Sequence, residues 1–179
     1  MSLMPDQNWK WFYHADLDRL AIQLGESMAF ATEYTGKQII PDGHYELAFS
    51  TAHADYYLKC LQKVEQDLRV SEGQGVQIAL NLTAARFFSL PMMPKSWHFS
   101  VSEQIVFAKE GKLVSLQTKM GKHHFIVVEA NDQTALLMLV EPECELTNGK
   151  SLAQFGLIKV MSDRLMPAMV NRQLRVVAA

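Results

Sequence analysis

The residues of this chain that could do chemistry are six histidines and two cysteines among 179 residues. A thiol beside a histidine base would be a nucleophile of the cysteine-hydrolase type. Neither Cys60 nor Cys144 neighbours a histidine in sequence, so such a pair would have to form in space. The two lie in different halves and in no Cys-x-x-Cys pattern, which reads as free, buried thiols of a reducing compartment. His123 and His124 are adjacent, and adjacent residues on a strand point to opposite faces, so one metal ion is not expected to take both. His44 and His53 flank a loop-to-helix junction with no cysteine or second carboxylate motif nearby, and no metal site is expected there either. Gly73 and Gly75 are a fragment of a dinucleotide fingerprint without a strand to deliver them, and no P-loop is present. No catalytic residue, metal ligand or cofactor emerges, and the chain reads as a binding protein.

Binding residues are easier to find. Asn8-Trp9-Lys10-Trp11-Phe12-Tyr13 and Met93-Pro94-Lys95-Ser96-Trp97-His98-Phe99 hold all three tryptophans. Tryptophan offers a large apolar area and an N–H that needs a partner, so each is either a core anchor or a contact for another molecule. Ten methionines, among them Met92, Met93, Met138 and Met161, either fill core gaps or form a pliable surface. Lys109, Lys112, Lys119, Lys122, Lys150 and Lys159 with Arg164 are a solvated face, or a basic rim where hairpin ends gather them.

The elements that must position these residues follow from periodicity and turn signals. Residues 10–14, 19–24 and 28–34 read as three strands of a small antiparallel meander, broken by Asp16, Asp18 and Gly25. Gly36, Pro41 and Gly43 mark a loop. Ala54, Tyr57, Leu58, Leu61, Val64 and Leu68 recur at helical spacing behind a Ser50 or Thr51 cap. Ser71 with Gln74 is a capping box that opens a second helix, stopped by Pro91 and Pro94. The second half is strand-rich. Residues 104–108 and 113–117 flank Glu110-Gly111 as a hairpin, and residues 125–129 and 135–140 flank Asn131-Asp132. Residues 144–146 lead into Asn148-Gly149, the strongest hairpin signal in the chain. Leu157, Met161 and Leu165 suggest a short helix closed by Pro167, and residues 174–177 form an edge strand or a disordered tail. The expected fold class is α+β: residues 1–91 as an N-terminal α/β domain with a small antiparallel sheet and two helices, and residues 92–179 as a β-rich, barrel-like domain.

Composition sets the outer bounds. Hydrophobic residues are 49% and charged residues 20%, ordinary for a globular protein. A net charge of −2 argues against nonspecific nucleic-acid binding. Residues 1–94 hold 7 basic against 11 acidic side chains, and residues 95–179 hold 10 against 8, so the second half is the side to meet an acidic partner. Met1 to Lys10 contains no apolar core of a signal peptide, and the longest apolar run, residues 135–140, suits a strand rather than a membrane span. A cytoplasmic protein without membrane insertion is expected, and the lack of coiled-coil heptads favours a monomer.

Three blocks carry a family resemblance. Asn8-Trp9-Lys10-Trp11, Pro94-Lys95-Ser96-Trp97-His98-Phe99, and the run from Ile158 to Pro167 resemble, in order and spacing, the Z-ring-associated protein C (ZapC) family. The resemblance implies a cytoplasmic, non-enzymatic cell-division factor at the midcell ring. Such a protein binds FtsZ, the tubulin-like polymer of that ring, promotes lateral bundling of its protofilaments and restrains its GTPase. It also implies an N-terminal apolar pocket, for which Trp9, Trp11, Ile22 and Leu24 are the candidates, and a basic C-terminal surface, for which Lys95 and Arg164 are. Ile22 reads first as plain core packing, and Arg164 equally as an ion pair with Asp163 or another carboxylate. Two rival readings are a carrier of a small apolar ligand using the same pocket, and a hydrolase with its nucleophile on Cys60 or Cys144.

Overall fold

Alternation of polar and aromatic residues at the start of the chain produces β1 (Lys10–His14), which pairs antiparallel with β2 (Arg19–Gln23) so that Trp11 lies opposite Ile22. The turn between them uses Asp18 at φ 50°, a conformation short polar side chains tolerate. β3 (Ala29–Ala31) and β4 (Leu47–Ala48) complete a sheet of order β3-β2-β1-β4. β3 is shorter than the expected 28–34, although Leu20 still donates its N–H to Tyr34 O at 2.9 Å beyond the strand end. These features belong to a computed structural model that describes residues 3–168; the expected strand at 174–177 lies outside the described residues.

Both helices start where their caps predict. α1 (Thr51–Asp67) has Ser50 as its N-cap, with Ser50 Oγ accepting from His53 N–H at 3.3 Å and Ser50 N–H donating to His53 Nδ1 at 3.0 Å. α2 (Glu72–Phe88) repeats the arrangement with Ser71 and Gln74. α1 is amphipathic, burying Tyr57, Cys60, Leu61 and Val64. α2 is buried almost all round from Ile78 to Ala85, and its polar Asn81 is satisfied within the fold: Nδ2 donates to Gln77 O and Oδ1 accepts from Glu33 N–H, both at 3.0 Å.

The second half contributes β5 (Leu113–Thr118), β6 (Gly121–Ala130), β7 (Thr134–Leu139), β8 (Glu143–Glu145), β9 (Ser151–Ala153), β10 (Leu157–Met161) and β11 (Met166–Pro167). Five of them form an antiparallel sheet of order β10-β7-β6-β5-β11; it stays open among the described residues instead of closing as a barrel. β8 and β9 form a separate hairpin on Asn148 and Gly149, both at positive φ, as that pair demands. The near-continuous apolar runs of β6 and β7 have a simple cause, since both faces of this sheet are covered. Ile126, Val128, Leu136, Met138 and Val140 share a core with the helices and with Trp9 and Trp11. Phe125, Val127, Leu137 and Leu139 meet Phe99, Cys144 and Leu165 on the other side. Tyr56 Oη, donating to Val128 O at 2.7 Å, and Tyr34 Oη, donating to Phe155 O at 2.9 Å, bind the halves together.

Two expected elements are replaced. Residues 157–165 form no helix: Ile158 and Val160 alternate into the second core as strand residues, and Ser162–Arg164 is a single 3₁₀ turn. Residues 104–108 form no strand, so Glu110-Gly111 closes no hairpin. That turn instead seats Gly111, at φ +84°, against α1, where a β-carbon on it would lie 3.7 Å from the Cys60 Cα. The hairpin joining β5 to β6 lies at Lys119 and Met120.

His53 makes the fold sensitive to mild acid. Its Nδ1 accepts from Trp11 Nε1–H and from Ser50 N–H, each at 3.0 Å, and both bonds need an unprotonated nitrogen. Burial lowers its pKa from the ordinary 6.5. Below 6.5 the unfolded chain takes up a proton that the folded chain refuses, so stability is flat above that pH and falls as pH drops through it. His98 is shifted in the same direction, first by burial. His53→Gln, which keeps a capping-box acceptor, is therefore expected to remove part of this slope, as read by urea unfolding between about pH 7.5 and 5.

Candidate interaction surface

The first aromatic stretch lies inside the protein. Trp9 packs edge-on to Phe49 and Tyr57, with ring centroids 5.2 and 5.6 Å away, and Trp11 lies against Phe49 at 5.3 Å and Phe88 at 4.8 Å. Trp9, Trp11, Ile22 and Leu24 are all buried members of the helix-side core. The structure brings these four together, but behind the surface, and none of them lines any of four surface clefts among the described residues. One cleft of about 430 Å³ lies where the halves meet, between Tyr34, Lys37 and Met92 on one side and Leu152 and Phe155 on the other.

The second stretch faces outward. A 3₁₀ turn at Ser96–His98 buries Ser96 and His98 and leaves Trp97 66% exposed, with Met93 at 80% a turn before it. Distant parts of the chain hold this turn. Lys95 N–H donates to Lys159 O and Met161 N–H to Ser96 Oγ, both at 2.8 Å. Arg164 Nε donates to the carbonyls of Ser96 and Phe99, each at 3.2 Å, while Nη1 meets Asp163 Oδ1 at 2.6 Å. Arg164 thus clamps the turn that presents Trp97, and its ion pair with Asp163 is formed. Lys95 is exposed beside it. The Trp97 ring lies 5.4 Å from that of His98, whose pKa is lowered first by burial and then by the charges of Lys150 and Lys95. An exposed indole beside His98, on which the charges of Lys95 and Lys150 act, is an apolar anchor with cations close by. Sequence reasoning grouped Trp97 with the other tryptophans and did not single out its exposure; the signal was Pro91 and Pro94, which hold the preceding segment out of regular structure.

Charge is local here. Residues 95–168 hold eight basic and eight acidic side chains, and the excess of the second half comes from Arg172 and Arg175, outside the described residues.

Reactive groups are muted. Burial pushes the Cys60 thiol up to about 12, and burial with the nearby Glu141 charge does the same to Cys144, so both stay protonated at neutral pH. The side chains of His123 and His124, expected to diverge, converge on Glu141, which sits just past the end of β7. His123 Nδ1 lies 3.0 Å from Oε2 and His124 Nδ1 3.3 Å from Oε1. Burial opposes ionisation of Glu141, but the His124 hydrogen bonds and both histidine charges outweigh it and hold the carboxyl below its usual range. Among the described residues no group of three or more His, Cys, Asp or Glu could hold a metal ion. No helix among them is long and apolar enough to cross a membrane.

Comparison with known proteins converges on one family. Residues 2–90 match the family model described as cell-division protein ZapC, N-terminal, and residues 91–171 match cell-division protein ZapC, C-terminal. The chain is 48% identical to the cell division protein ZapC of Ferrimonas balearica and 41% identical to that of Shewanella oneidensis, in each case over 179 residues and the whole of both chains. It is 36% identical to the protein of that name from Aeromonas hydrophila over 167 residues, 93% of either chain.

Proposed function

The chain belongs to the ZapC family of cell-division proteins, and from that premise we propose that it is a non-enzymatic factor that binds FtsZ at the midcell ring, bundles its protofilaments and slows its GTPase. The observation that carries this reading is the convergence of two sequence blocks, 94–99 and 158–167, on one exposed feature: Trp97 held out by the Arg164 clamp with Lys95 at its side. An exposed tryptophan with Lys95 beside it and Lys150 near its neighbour His98 has the composition of a binding hot spot for an acidic partner. Bundling then requires a cytoplasmic monomer to touch two filaments, each weak contact raising the effective concentration of the other. The core residues Trp9, Trp11, Ile22 and Leu24 act in this scheme by fixing the scaffold behind the contacts.

Cosedimentation with FtsZ and GTP tests the proposal. Wild type is expected to carry FtsZ into the pellet as bundles, and Trp97→Ala combined with Lys95→Glu to lose about tenfold or more in apparent affinity. Bundling is expected to weaken as salt shortens the screening length from about 8 Å at physiological ionic strength to about 3 Å at 1 M. Wild type leaving FtsZ in the supernatant as single filaments would overturn it. The apolar-carrier reading gains little support from the 430 Å³ cleft, whose lining includes Arg19, Glu33 and Lys37.

A further inference from the structure

Residues 104–108 have the pattern of a strand but, among the described residues, no strand beside them. Ile105 and Phe107 are 85% and 76% exposed, while Val106 and Ala108 between and after them pack on the second core. Among the described residues the backbone N–H groups of 105–108 donate to no protein acceptor. The segment is nevertheless held at both ends: Ser102 N–H donates to Asp163 O at 2.7 Å, and Lys112 Nζ donates to Phe107 O at 3.0 Å. An anchored segment with alternating burial and free amides is an edge to which an extended chain can add.

The ground beside that edge is cationic. Phe107, Lys109 and Lys112 line a cleft of about 790 Å³ together with Lys59 and Lys63 of α1. The one acidic residue lining it, Glu110, faces Arg86, with Oε2 3.5 Å from Nε. Lys63 is paired with Asp67 at 3.1 Å, whereas Lys59 and Lys109 meet no carboxylate among the described residues. On the far side of the same segment a second cleft, of about 610 Å³, continues past Ile105 to Ser162; Glu103, Asp132 and Asp163 line it, so the cationic ground is confined to the α1 side, where carboxylates can be received. The site is therefore long, concave and lined by one backbone edge. A flat bilayer does not enter a concave groove, and a mononucleotide does not span it.

We propose that residues 104–108 and the lysine-lined cleft form a docking site for an extended, acidic polypeptide segment, which pairs its backbone with the free edge, sets an apolar side chain against Phe107 and lays carboxylates toward Lys59 and Lys109. The inference does not depend on the filament reading, because the groups that would touch the segment, residues 104–108 with Lys59 and Lys109, are not those that present Trp97.

The test is fluorescence anisotropy on the full chain with a labelled ten-residue peptide, glutamates at both ends around Val-Thr-Phe-Thr. The peptide is expected to bind, and to lose at least about tenfold in affinity to the Lys59→Glu, Lys109→Glu double variant. N-methylation of its central amides is expected to cost a similar factor, and that arm leaves the protein untouched. Replacing the glutamates by lysines is expected to abolish binding, and Trp97→Ala to leave it unchanged. Both lysines are exposed, so the double variant is expected to keep the wild-type unfolding midpoint. Affinity that survives both the charge reversal and the N-methylation would overturn the proposal. Equal affinity for a thymidine oligonucleotide or for phosphatidylglycerol vesicles would do so too, by showing a nonspecific cationic face.

Discussion

Trp11→Ala is expected to lower the unfolding free energy by about 3–5 kcal/mol, the largest loss of any single truncation on the sheet of β1 to β4. The indole is fully buried and touches three other rings, those of Phe49, His53 and Phe88. Its removal leaves a cavity between β1 and the start of α1 that rigid aromatic neighbours fill poorly. It also deletes the N–H donor to His53, so the ring that closes the α1 capping box loses one of its two fixed partners. Set against the 5–15 kcal/mol typical of a domain, such a loss removes about a fifth or more of the stability. Trp97→Ala, by contrast, is expected to change stability by no more than about 0.5 kcal/mol, because the indole is mostly in solvent. Urea unfolding followed by far-UV circular dichroism separates the two, and equal effects would mean that the burial assigned to Trp11 is wrong. The same reasoning disqualifies Ile22→Glu as a test of partner binding: it buries a carboxylate opposite Trp11, and any lost function would follow from lost fold.

The contrast between the two tryptophans shows where sequence reasoning reaches its limit. Ser50 with His53 and Ser71 with Gln74 are local devices, complete within four residues, and both helices begin where these caps place them. Asn148-Gly149 is equally local and made its hairpin. Residues 157–165 show the failure. Leu157, Met161 and Leu165 recur every four residues, and so suggest a helix, but Ile158 and Val160 are β-branched and alternate. Pairing of residues 157–161 with β7 decides between the two patterns, and that partner is about twenty residues away. Residues 104–108 fail in the opposite sense, with an alternation that is real and no partner strand among the described residues. At the candidate surface, Lys95 and Arg164 were legible as chemistry, but the exposure of Trp97 was not. It depends on which side of a 3₁₀ turn faces the hydrogen bonds from Met161 and Arg164, and those contacts span more than sixty residues.

Arg164 decides whether the matched block 158–167 acts by touching a partner or by shaping what does. Its guanidinium is spent within the protein, on the carbonyls of Ser96 and Phe99 and on Asp163, and its side chain is only 19% exposed. Arg164→Ala is accordingly expected to cost about 1.5–3 kcal/mol, the range for hydrogen bonds made by a charged group, and to free the turn that carries Trp97. Arg164→Lys is expected to rescue little, since an ammonium cannot reproduce the fork that reaches two carbonyls and a carboxylate together. If the role is positional, Arg164→Ala and Trp97→Ala weaken FtsZ cosedimentation by similar factors and the double variant is no worse than either, because each removes the same presented indole. If Arg164 contacted the polymer directly, the two losses would add, and Arg164→Lys would keep much of the affinity through its charge. Hydrogen exchange at residues 96–99 supplies the independent readout: faster exchange in Arg164→Ala but not in Trp97→Ala marks a clamp, and unchanged exchange in both would refute it.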